Sequence, residues 1–303
     1  MINRLIANAL PLLPERLVWL FSRSYIAGET VDDAMSACRA LNADGIKTTI
    51  DILGEFIQNL DEAEKNCDEY LALIDIAQQT GIDGNYSVKP TMFGLLIDAE
   101  ACYVHIRGIV AKAAGYGNFI RIDMEDSDCV DLEICLFRRL KAEFPGSVGL
   151  VVQAYLRRTL EDLKDLMDIH APTVPLNFRL CKGIYAEPGR IAFQHHDETN
   201  AHFLEDLEFM LQNGIYPGIA THDRALVDGA LTLIDRYDVP RDRYEFQMLY
   251  GVAPELRRSL IDAGHTMRVY VPYGRHWFGY STRRLKENPK IVNSIVKSLL
   301  LSR

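Results

Sequence analysis

The chain has 303 residues, of which 48% are apolar and 25% are charged, a composition typical of a globular protein. Its net charge of −9 argues against a nucleic-acid partner, because phosphate binding needs a basic surface. The sequence contains no run of about 18 uncharged apolar residues, so we expect no segment that spans a membrane.

The cysteines and the N-terminus indicate the cellular compartment. The six cysteines are scattered and form no CxxC pair, which predicts reduced, packed thiols in a cytoplasmic protein. The opening residues combine Arg4 with an apolar run to Leu13, as a signal peptide would. Pro14, Glu15 and Arg16 follow at once, without a small-residue cleavage site, so an amphipathic first helix is the better interpretation.

A repeating unit begins after a helix predicted at Asp32 to Leu41. Each unit has a short β-rich run, a polar or glycine-bearing break and a helical pattern. The β runs lie near 47–53, 86–91, 118–124, 148–155, 175–182, 216–221, 243–249 and 267–273. The helical patterns between and after them cover 54–80, 93–114, 127–143, 156–169, 188–213, 223–236, 253–263 and 275–287.

Strands that alternate with helices predict parallel pairing with right-handed crossovers. Eight such units in about 250 residues favour an α/β fold, a closed (β/α)₈ barrel of the TIM type. We expect one domain over residues 1–303, with an N-terminal helical extension at 1–46 and a C-terminal helical tail at 289–303. An open sheet that binds a dinucleotide fits less well, because the G-x-G at 115–117 precedes a strand instead of following one.

Polar side chains are concentrated where the predicted strands end, and the C-terminal strand ends form the functional mouth of such a barrel. In strand order they are Asp51; Lys89; Arg121, Asp123 and Glu125; Gln153 and Tyr155; Arg179, Lys182 and Tyr185; Thr221 and His222; Glu245, Gln247 and Leu249; Arg268 and Tyr270. Burying so many charges is costly unless they pair or bind a ligand. Asp123 can pair with Lys89 or Arg179, and such pairs can also be purely structural. Because the charges come from several strands, we favour a functional site.

The stretch from Arg268 to Asn288 changes from a β run to a helical period. Tyr280, Arg283, Arg284 and Glu287 then fall on one helix face, at i, i+3, i+4 and i+7. Two adjacent guanidinium groups suit a small carboxylate, which they bind in a bidentate manner. On this stretch alone, a solvated helix face fits equally well.

Three histidines in the predicted helix 188–213 raise the question of a metal site. His195, His196 and His202 lie among polar residues, and His196 and His202 are six positions apart, which does not place them on one face. We therefore expect a solvated helix and no metal.

Seven motifs at these strand ends resemble those of the proline dehydrogenase family, in its monofunctional bacterial form. They are SVKPT, RIDMED, GLVVQAYLRR, FRLCKGIY, ATHD, EFQMLYG and YVPYG followed by Y-x-x-RRL-x-EN, in order between about residues 25 and 288. The resemblance implies a distorted (β/α)₈ barrel with extra N-terminal helices and a C-terminal helix over the mouth. It also implies FAD-dependent oxidation of L-proline to Δ1-pyrroline-5-carboxylate, with hydride transfer from C5 to the flavin N5.

The resemblance also assigns roles to residues. Asp123, Arg179 and Lys89 are the expected catalytic residues, with Asp123 fixing Lys89 and Arg179 near the flavin N5. The expected substrate-binding residues are Lys89, Tyr185, Leu249, Tyr270, Tyr280, Arg283, Arg284 and Glu287. The expected FAD-binding residues are Met124, Gln153, Arg179, Lys182, Gly183, Thr221 and His222.

The implied partners are a membrane quinone as electron acceptor and a pyrroline-5-carboxylate dehydrogenase as the downstream enzyme. Peripheral contact with the inner face of the cell membrane is a further expectation. Tyr270 matches the tyrosine that, in the family, lies over the ring carbon substituted in hydroxyproline, so proline is favoured over hydroxyproline. Two alternatives from other classes remain: an aldolase-like barrel enzyme with Lys89 as a Schiff-base nucleophile, and a catalytically silent binding protein.

Overall fold

A computed structural model describes Trp19 and residues 22–281 of the chain. Eight strands form a closed, all-parallel barrel in which each strand pairs with the next in sequence. They are β1 (Lys47–Ile52), β2 (Gly84–Val88), β3 (Ile120–Ile122), β4 (Val148–Gln153), β5 (Asn177–Cys181), β6 (Tyr216–Ala220), β7 (Glu245–Leu249) and β8 (Met267–Tyr273). β8 pairs with β1 from Lys47 opposite Arg268 to Ile52 opposite Tyr273, which closes the sheet. The predicted (β/α)₈ architecture is confirmed.

Helices follow the strands and surround the barrel. They are α1 (Val31–Ala43), which precedes β1, and α2 (Leu60–Gln79), α3 (Ala99–Gly115), α4 (Val130–Glu143), α5 (Thr159–Asp165), α6 (His196–Gln212), α7 (Arg224–Arg236) and α8 (Pro254–Asp262). Residues 277–281 begin a further helix at the end of the described part of the chain. No helix among the described residues is long and apolar enough to cross a membrane.

Several helices begin later than the helical pattern predicts. The segments predicted at 54–80, 93–114 and 188–213 become helical only at residues 60, 99 and 196. Capping explains two of these starts: Asn59 accepts a hydrogen bond from the backbone N–H of Glu62, and Asp98 accepts two from the N–H groups of its helix. The residues before each cap form loops at the C-terminal mouth of the barrel.

The barrel interior is polar, while its outer surface is apolar. Arg179 on β5 bonds to Asp123 after β3 and to Gln247 on β7, and contacts between strands that are not neighbours must cross the interior. Outward-facing residues such as Ile50, Ile122 and Leu180 belong instead to the continuous apolar core beneath the helices. The two-residue period of a strand produces this division.

Two interior glycines make room for long polar side chains. A Cβ atom on Gly149 would lie 2.6 Å from Nη1 of Arg121, and one on Gly218 would lie 2.4 Å from Nε2 of Gln247. Arg121, predicted to share a face with Asp123 and Glu125, donates to the backbone and side-chain oxygens of Asn177, at 2.7 Å each. Its contacts therefore support the barrel wall.

The N-terminal segment packs against the end of β8 and the helix that follows. The N–H of Ala27 bonds to the carbonyl of Pro272, and Nε1 of Trp277 donates to Glu29 at 2.8 Å. A second apolar cluster is formed here by Tyr25, Ile26, Leu53, Trp277 and Tyr280, with Trp19 beside it. The described N-terminal residues therefore support the helical residues 277–281.

Candidate active site

A group of charged residues lies at the C-terminal mouth of the barrel. It joins Asp51 on β1, Lys89 directly after β2, Asp123 directly after β3, Arg179 on β5 and Tyr270 on β8. All five were singled out from the sequence as strand-end residues, and the structure brings them together. No role was assigned to Asp51 from the sequence, however.

Lys89 forms its shortest ion pair with Asp51. The Lys89 Nζ lies 2.6 Å from Oδ1 of Asp51 and 3.9 Å from Oδ2 of Asp123. Burial lowers the pKa of Lys89, but the carboxylates of Asp51 and Asp123 outweigh burial and raise that pKa above its ordinary value. The predicted Asp123–Lys89 contact is therefore a long one, and Asp51 is the principal partner of the lysine.

Asp123 instead joins Arg179 to Tyr270. Its Oδ1 accepts from Nη1 of Arg179 at 2.9 Å and from the Ser87 hydroxyl at 2.8 Å, while Oδ2 accepts from the Tyr270 hydroxyl at 2.9 Å. The Arg179 guanidinium lies 5.0 Å from the centre of the Tyr270 ring, within cation–π range. Burial, followed by the nearby carboxylates of Asp123 and Asp51, raises the pKa of Tyr270 well above its usual value, so the phenol stays protonated.

Glu125 connects the loops that carry Lys89 and Asp123. Its carboxylate accepts from the backbone N–H and the hydroxyl of Thr91, at 2.9 and 2.6 Å, and burial raises its pKa to about 7. The Glu125 carbonyl accepts a hydrogen bond from Nε2 of Gln153 at 2.8 Å. This bond fixes the side chain of Gln153 beside the loop that carries Glu125.

A cleft of about 520 Å³ opens beside Lys89. Its walls come from the loop after β1, the start of α2 and the segment after β8. The lining includes Lys89, Leu53, Glu55, Met92, Phe278 and Tyr280. Of the predicted substrate-binding residues, Lys89 and Tyr280 line this cleft, and Leu249 stands opposite Tyr270 in the β7–β8 register.

Tyr185 lies elsewhere on the rim. It lines a smaller cleft of about 330 Å³ together with residues 126–128 and 186–188. Burial raises the pKa of its phenol far above the ordinary value, so it too stays neutral. Arg283, Arg284 and Glu287 lie outside the described residues.

The predicted cofactor residues lie on or directly after β3 to β6. The Lys182 Nζ contacts Oδ2 of Asp223 at 2.8 Å, and His222 accepts the backbone N–H of Leu249 through Nε2 at 2.8 Å. Gly183 has a φ of 101°, and a Cβ there would lie 2.1 Å from the Tyr155 ring, so only glycine fits. Thr221 accepts the N–H of Asp223, and Met124 is buried.

Comparison with known proteins identifies the family. The family model described as "Proline dehydrogenase" matches residues 34–297. Proline dehydrogenase 1 of Bacillus subtilis subsp. natto is 36% identical over 93% of this chain and 91% of its own length. The proline dehydrogenase of Deinococcus radiodurans is 35% identical over 95% and 93%, respectively. This chain belongs to the proline dehydrogenase family.

A solved structure agrees with this assignment. Proline utilization A from Bdellovibrio bacteriovorus, inactivated by N-propargylglycine, superposes with a TM-score of 0.82 at 25% identity. The match covers 88% of this chain and 32% of that one. The chain is thus a proline-oxidising enzyme of a family that is generally flavin-dependent.

Two contacts of this proline dehydrogenase site were not predicted from the sequence. Asp51 was seen only as a strand end, although its position two residues after Thr49 on the inward face could have indicated it. His196, assigned to a solvated helix, places Nε2 at 2.9 Å from Nζ of Lys182 and 3.2 Å from Oδ2 of Asp223. No sequence spacing predicts that contact. Among the described residues, no group of three or more side chains could hold a metal ion.

Proposed function

We propose that this enzyme oxidises L-proline to Δ1-pyrroline-5-carboxylate with FAD as its cofactor. The observation that carries the proposal is the arrangement around Lys89: a buried ammonium group borders a cleft with a partly apolar lining. A small ring compound with a carboxylate fits such a site, because the charge meets the ammonium and the ring meets apolar walls.

The residues after β3 to β6 fit a flavin dinucleotide. Lys182 supplies a cation and the His222 ring is fixed through Nε2 by the Leu249 N–H, while the close approach of Gly183 to Tyr155 leaves no room for a side chain there. Arg179 adds a guanidinium that is fixed by Asp123 and Gln247. Such a donor set suits the diphosphate and the electron-rich edge of a flavin. We propose Met124, Gln153, Arg179, Lys182, Gly183, Thr221 and His222 as its contacts.

The chain's own residues bind and orient the substrate. Lys89 holds the proline carboxylate, together with the predicted Arg283 and Arg284, which lie outside the described residues. Tyr270, Tyr280 and Leu249 enclose the ring and exclude water, with Tyr185 and Glu287 as further predicted contacts. Asp123 fixes both Arg179 and the Tyr270 hydroxyl. Bound FAD supplies the acceptor for the hydride from C5 of proline.

The state of Lys89 distinguishes this proposal from a Schiff-base mechanism. A lysine nucleophile must lose its proton, and enzymes achieve this by lowering its pKa. Here the carboxylates of Asp51 and Asp123 raise that pKa, so Lys89 remains an ammonium group that binds carboxylates. The Tyr270 hydroxyl, held between Lys89 and Asp123, occupies the mouth and favours proline over hydroxyproline.

Absorbance spectroscopy of the purified protein tests the proposal. We expect a flavin band at about 450 nm that bleaches when L-proline is added without oxygen, with Δ1-pyrroline-5-carboxylate as the trapped product. Hydroxyproline should bleach it more slowly. A protein that takes up no FAD, or a flavin that proline leaves oxidised, would refute the proposal.

We also propose that a membrane quinone accepts the electrons and that a pyrroline-5-carboxylate dehydrogenase consumes the product. The enzyme would then work at the inner face of the cell membrane as a peripheral protein. Reduction of a soluble quinone analogue by proline, with co-sedimentation on quinone-bearing vesicles, tests this. Turnover with other acceptors but never with quinones would contradict it.

A further inference from the structure

The two carboxylates near Lys89 have different hydrogen-bond partners. Asp123 accepts from the Arg179 guanidinium and the Ser87 hydroxyl on one oxygen and from the Tyr270 hydroxyl on the other. Both of its oxygens are therefore engaged by these groups, and the Lys89 ammonium lies farther away, at 3.9 Å from Oδ2. The closest ion-pair partner of Asp123 is Arg179.

Asp51 has a simpler set of contacts. Its side chain is fully buried; Oδ1 accepts a hydrogen bond from Lys89 at 2.6 Å, and the nearby Tyr270 hydroxyl also stabilises the carboxylate. Its Oδ2 has no hydrogen-bond partner among the described residues. A buried carboxylate with an unsatisfied oxygen is costly, so this arrangement needs a compensating role.

The geometry around the ammonium group shows which direction remains open. Of the three N–H bonds of Lys89, one points at Asp51 and one at the Tyr270 hydroxyl, at 3.3 Å. Lys89 lines the cleft, whereas Asp51 does not, so Asp51 lies behind the lysine as seen from the cleft. The third N–H has no hydrogen-bond partner within the described part of the chain and is therefore available to a ligand.

We propose that Asp51 is a positioning residue that aims the Lys89 ammonium group at the carboxylate of the substrate. This inference rests on the proposed function, in which Lys89 binds that carboxylate. Asp51 itself never touches the substrate. Its effect on binding passes entirely through Lys89.

The charges around Lys89 determine how the loss of Asp51 would change carboxylate binding. The acidic groups near the lysine are Asp51, Asp123, Glu125 and the Tyr270 phenol, and the cleft beside it is also lined by Tyr280, Glu55, Glu62, Lys65, Arg275 and His276. The groups that face Asp51 are Lys89, Asp123, Tyr70, Tyr270 and Tyr273. Without Asp51, burial is offset only by the more distant carboxylates, and the pKa of Lys89 falls. Carboxylate binding should then weaken in the alkaline range.

The test measures, by isothermal titration calorimetry, the binding of a ring carboxylate without an amine, such as tetrahydrofuran-2-carboxylate, to flavin-loaded enzyme. We expect Asp51→Asn to weaken binding by about tenfold at neutral pH and to lose further affinity between pH 7 and 9.5, where the parent enzyme changes little. Lys89→Met should lose affinity to a similar extent at every pH. Proline turnover should show the same pattern in KM rather than in kcat.

The double variant provides the matched control. If Asp51 acts through Lys89, Asp51→Asn has no further effect on binding in the Lys89→Met background. Asp123→Asn leaves the closer Asp51–Lys89 pair in place and removes only the carboxylate at 3.9 Å, so it should change the pH dependence of affinity less than Asp51→Asn does. An Asp51→Asn variant with the parent's affinity and pH profile overturns this inference alone.

Two outcomes separate this inference from the proposed function. If Lys89→Met binds the ring carboxylate as tightly as the parent enzyme, the proposed carboxylate site itself fails. If Asp51→Asn does not fold, the double variant decides, because removing both charges avoids an unpaired buried ion. If the double variant folds, the result supports the pairing of Asp51 with Lys89. If the double variant is as unstable as Asp51→Asn, the result overturns the inference.

Discussion

At the scale of single residues, the site depends on a few close approaches and buried charges. Gly183 is in a left-handed conformation against Tyr155, Asp51 pairs with Lys89, and Arg179 is held by Asp123. The identities of these residues were predictable from strand-end position and motif. Their pairing was not, because it depends on which atoms lie within 3 Å of each other.

Replacing Gly183 by alanine tests the proposed cofactor contact. The new methyl group would overlap the Tyr155 ring and strain a φ of 101°, so the loop must shift. We expect Gly183→Ala to lower FAD stoichiometry by at least about half and to reduce stability by roughly 1–3 kcal/mol. Flavin content and thermal unfolding measure both effects.

Gly189 in the same loop is the matched control. A Cβ there would lie 3.5 Å from its nearest neighbour, the Gln194 side chain, so Gly189→Ala needs no rearrangement. It should retain FAD. Full flavin loading in Gly183→Ala would show that the close contact between Gly183 and Tyr155 does not matter for cofactor binding.

Asp206 on α6 should make stability depend on pH. Its side chain is fully buried, neither carboxylate oxygen has a hydrogen-bond partner among the described residues, and burial raises its pKa to about 8. The native state therefore holds a proton that the unfolded chain releases near its ordinary value of 3.8. Its contribution to the free energy of unfolding falls as pH rises from about 4 to about 8.

Asp206→Asn removes this titration. We expect the variant to have a higher melting temperature than the parent at pH 8, with a smaller difference at pH 5. Calorimetry at several pH values is the measurement. An identical pH dependence in both proteins would mean that Asp206 does not hold its proton in the native state.

At the scale of elements, the segment after β8 is stabilised by the N-terminal residues. Trp277 lies 4.7 Å from Trp19 between ring centres, and its Nε1 donates to Glu29. Sequence periodicity predicted a helix at 275–287, and residues 277–281 are helical. The partner of that helix could not be predicted, since it comes from more than 240 residues earlier in the chain.

Trp277→Ala tests this support. Truncation removes the indole contacts and the hydrogen bond to Glu29. Because Trp277 is only 8% exposed, we expect the free energy of unfolding to fall by about 3 kcal/mol or more. Because this segment leads to the predicted Arg283 and Arg284, we expect the KM for proline to rise about tenfold. FAD content should change little.

Trp277→Phe is the milder variant. It keeps most of the apolar contact and should have an intermediate KM. If steady-state kinetics give an unchanged KM for Trp277→Ala, the N-terminal segment does not affect substrate binding.

At the scale of the whole molecule, a polar interior lies inside an apolar shell. Beneath the site, Arg268 contacts Glu245 at 2.8 Å, and Gln247 connects Glu245 to Arg179. Arg268 outweighs burial and holds the pKa of Glu245 below its ordinary value. The carboxylate therefore stabilises the fold above that value, and this stability is lost as pH falls through the lowered pKa.

Glu245→Gln should accordingly destabilise the barrel. It leaves the Arg268 charge buried without its carboxylate, at a cost of about 3–5 kcal/mol. Denaturant unfolding at neutral pH measures the loss in free energy of unfolding. The difference between the variant and the parent should become smaller at acid pH. Glu161→Gln, in the exposed pair with Lys164, is the control and should change stability by less than about 0.5 kcal/mol. Equal effects of the two variants would contradict a structural role for the interior pair.

The sequence by itself determined the alternation of strands and helices, the barrel, the family and the strand-end residues, because these follow from local periodicity and motif order. Three helix starts were placed too early, because sequence periodicity does not show where the loop at the mouth ends; Asn59 and Asp98 fix two of these starts by capping. Only the tertiary structure decided that Lys89 pairs more closely with Asp51, at 2.6 Å, than with Asp123, at 3.9 Å, and that His196 reaches Lys182. The physical reason is register: Asp51 stands opposite Ser87, two residues before Lys89, and which charges meet depends on the closure of the barrel.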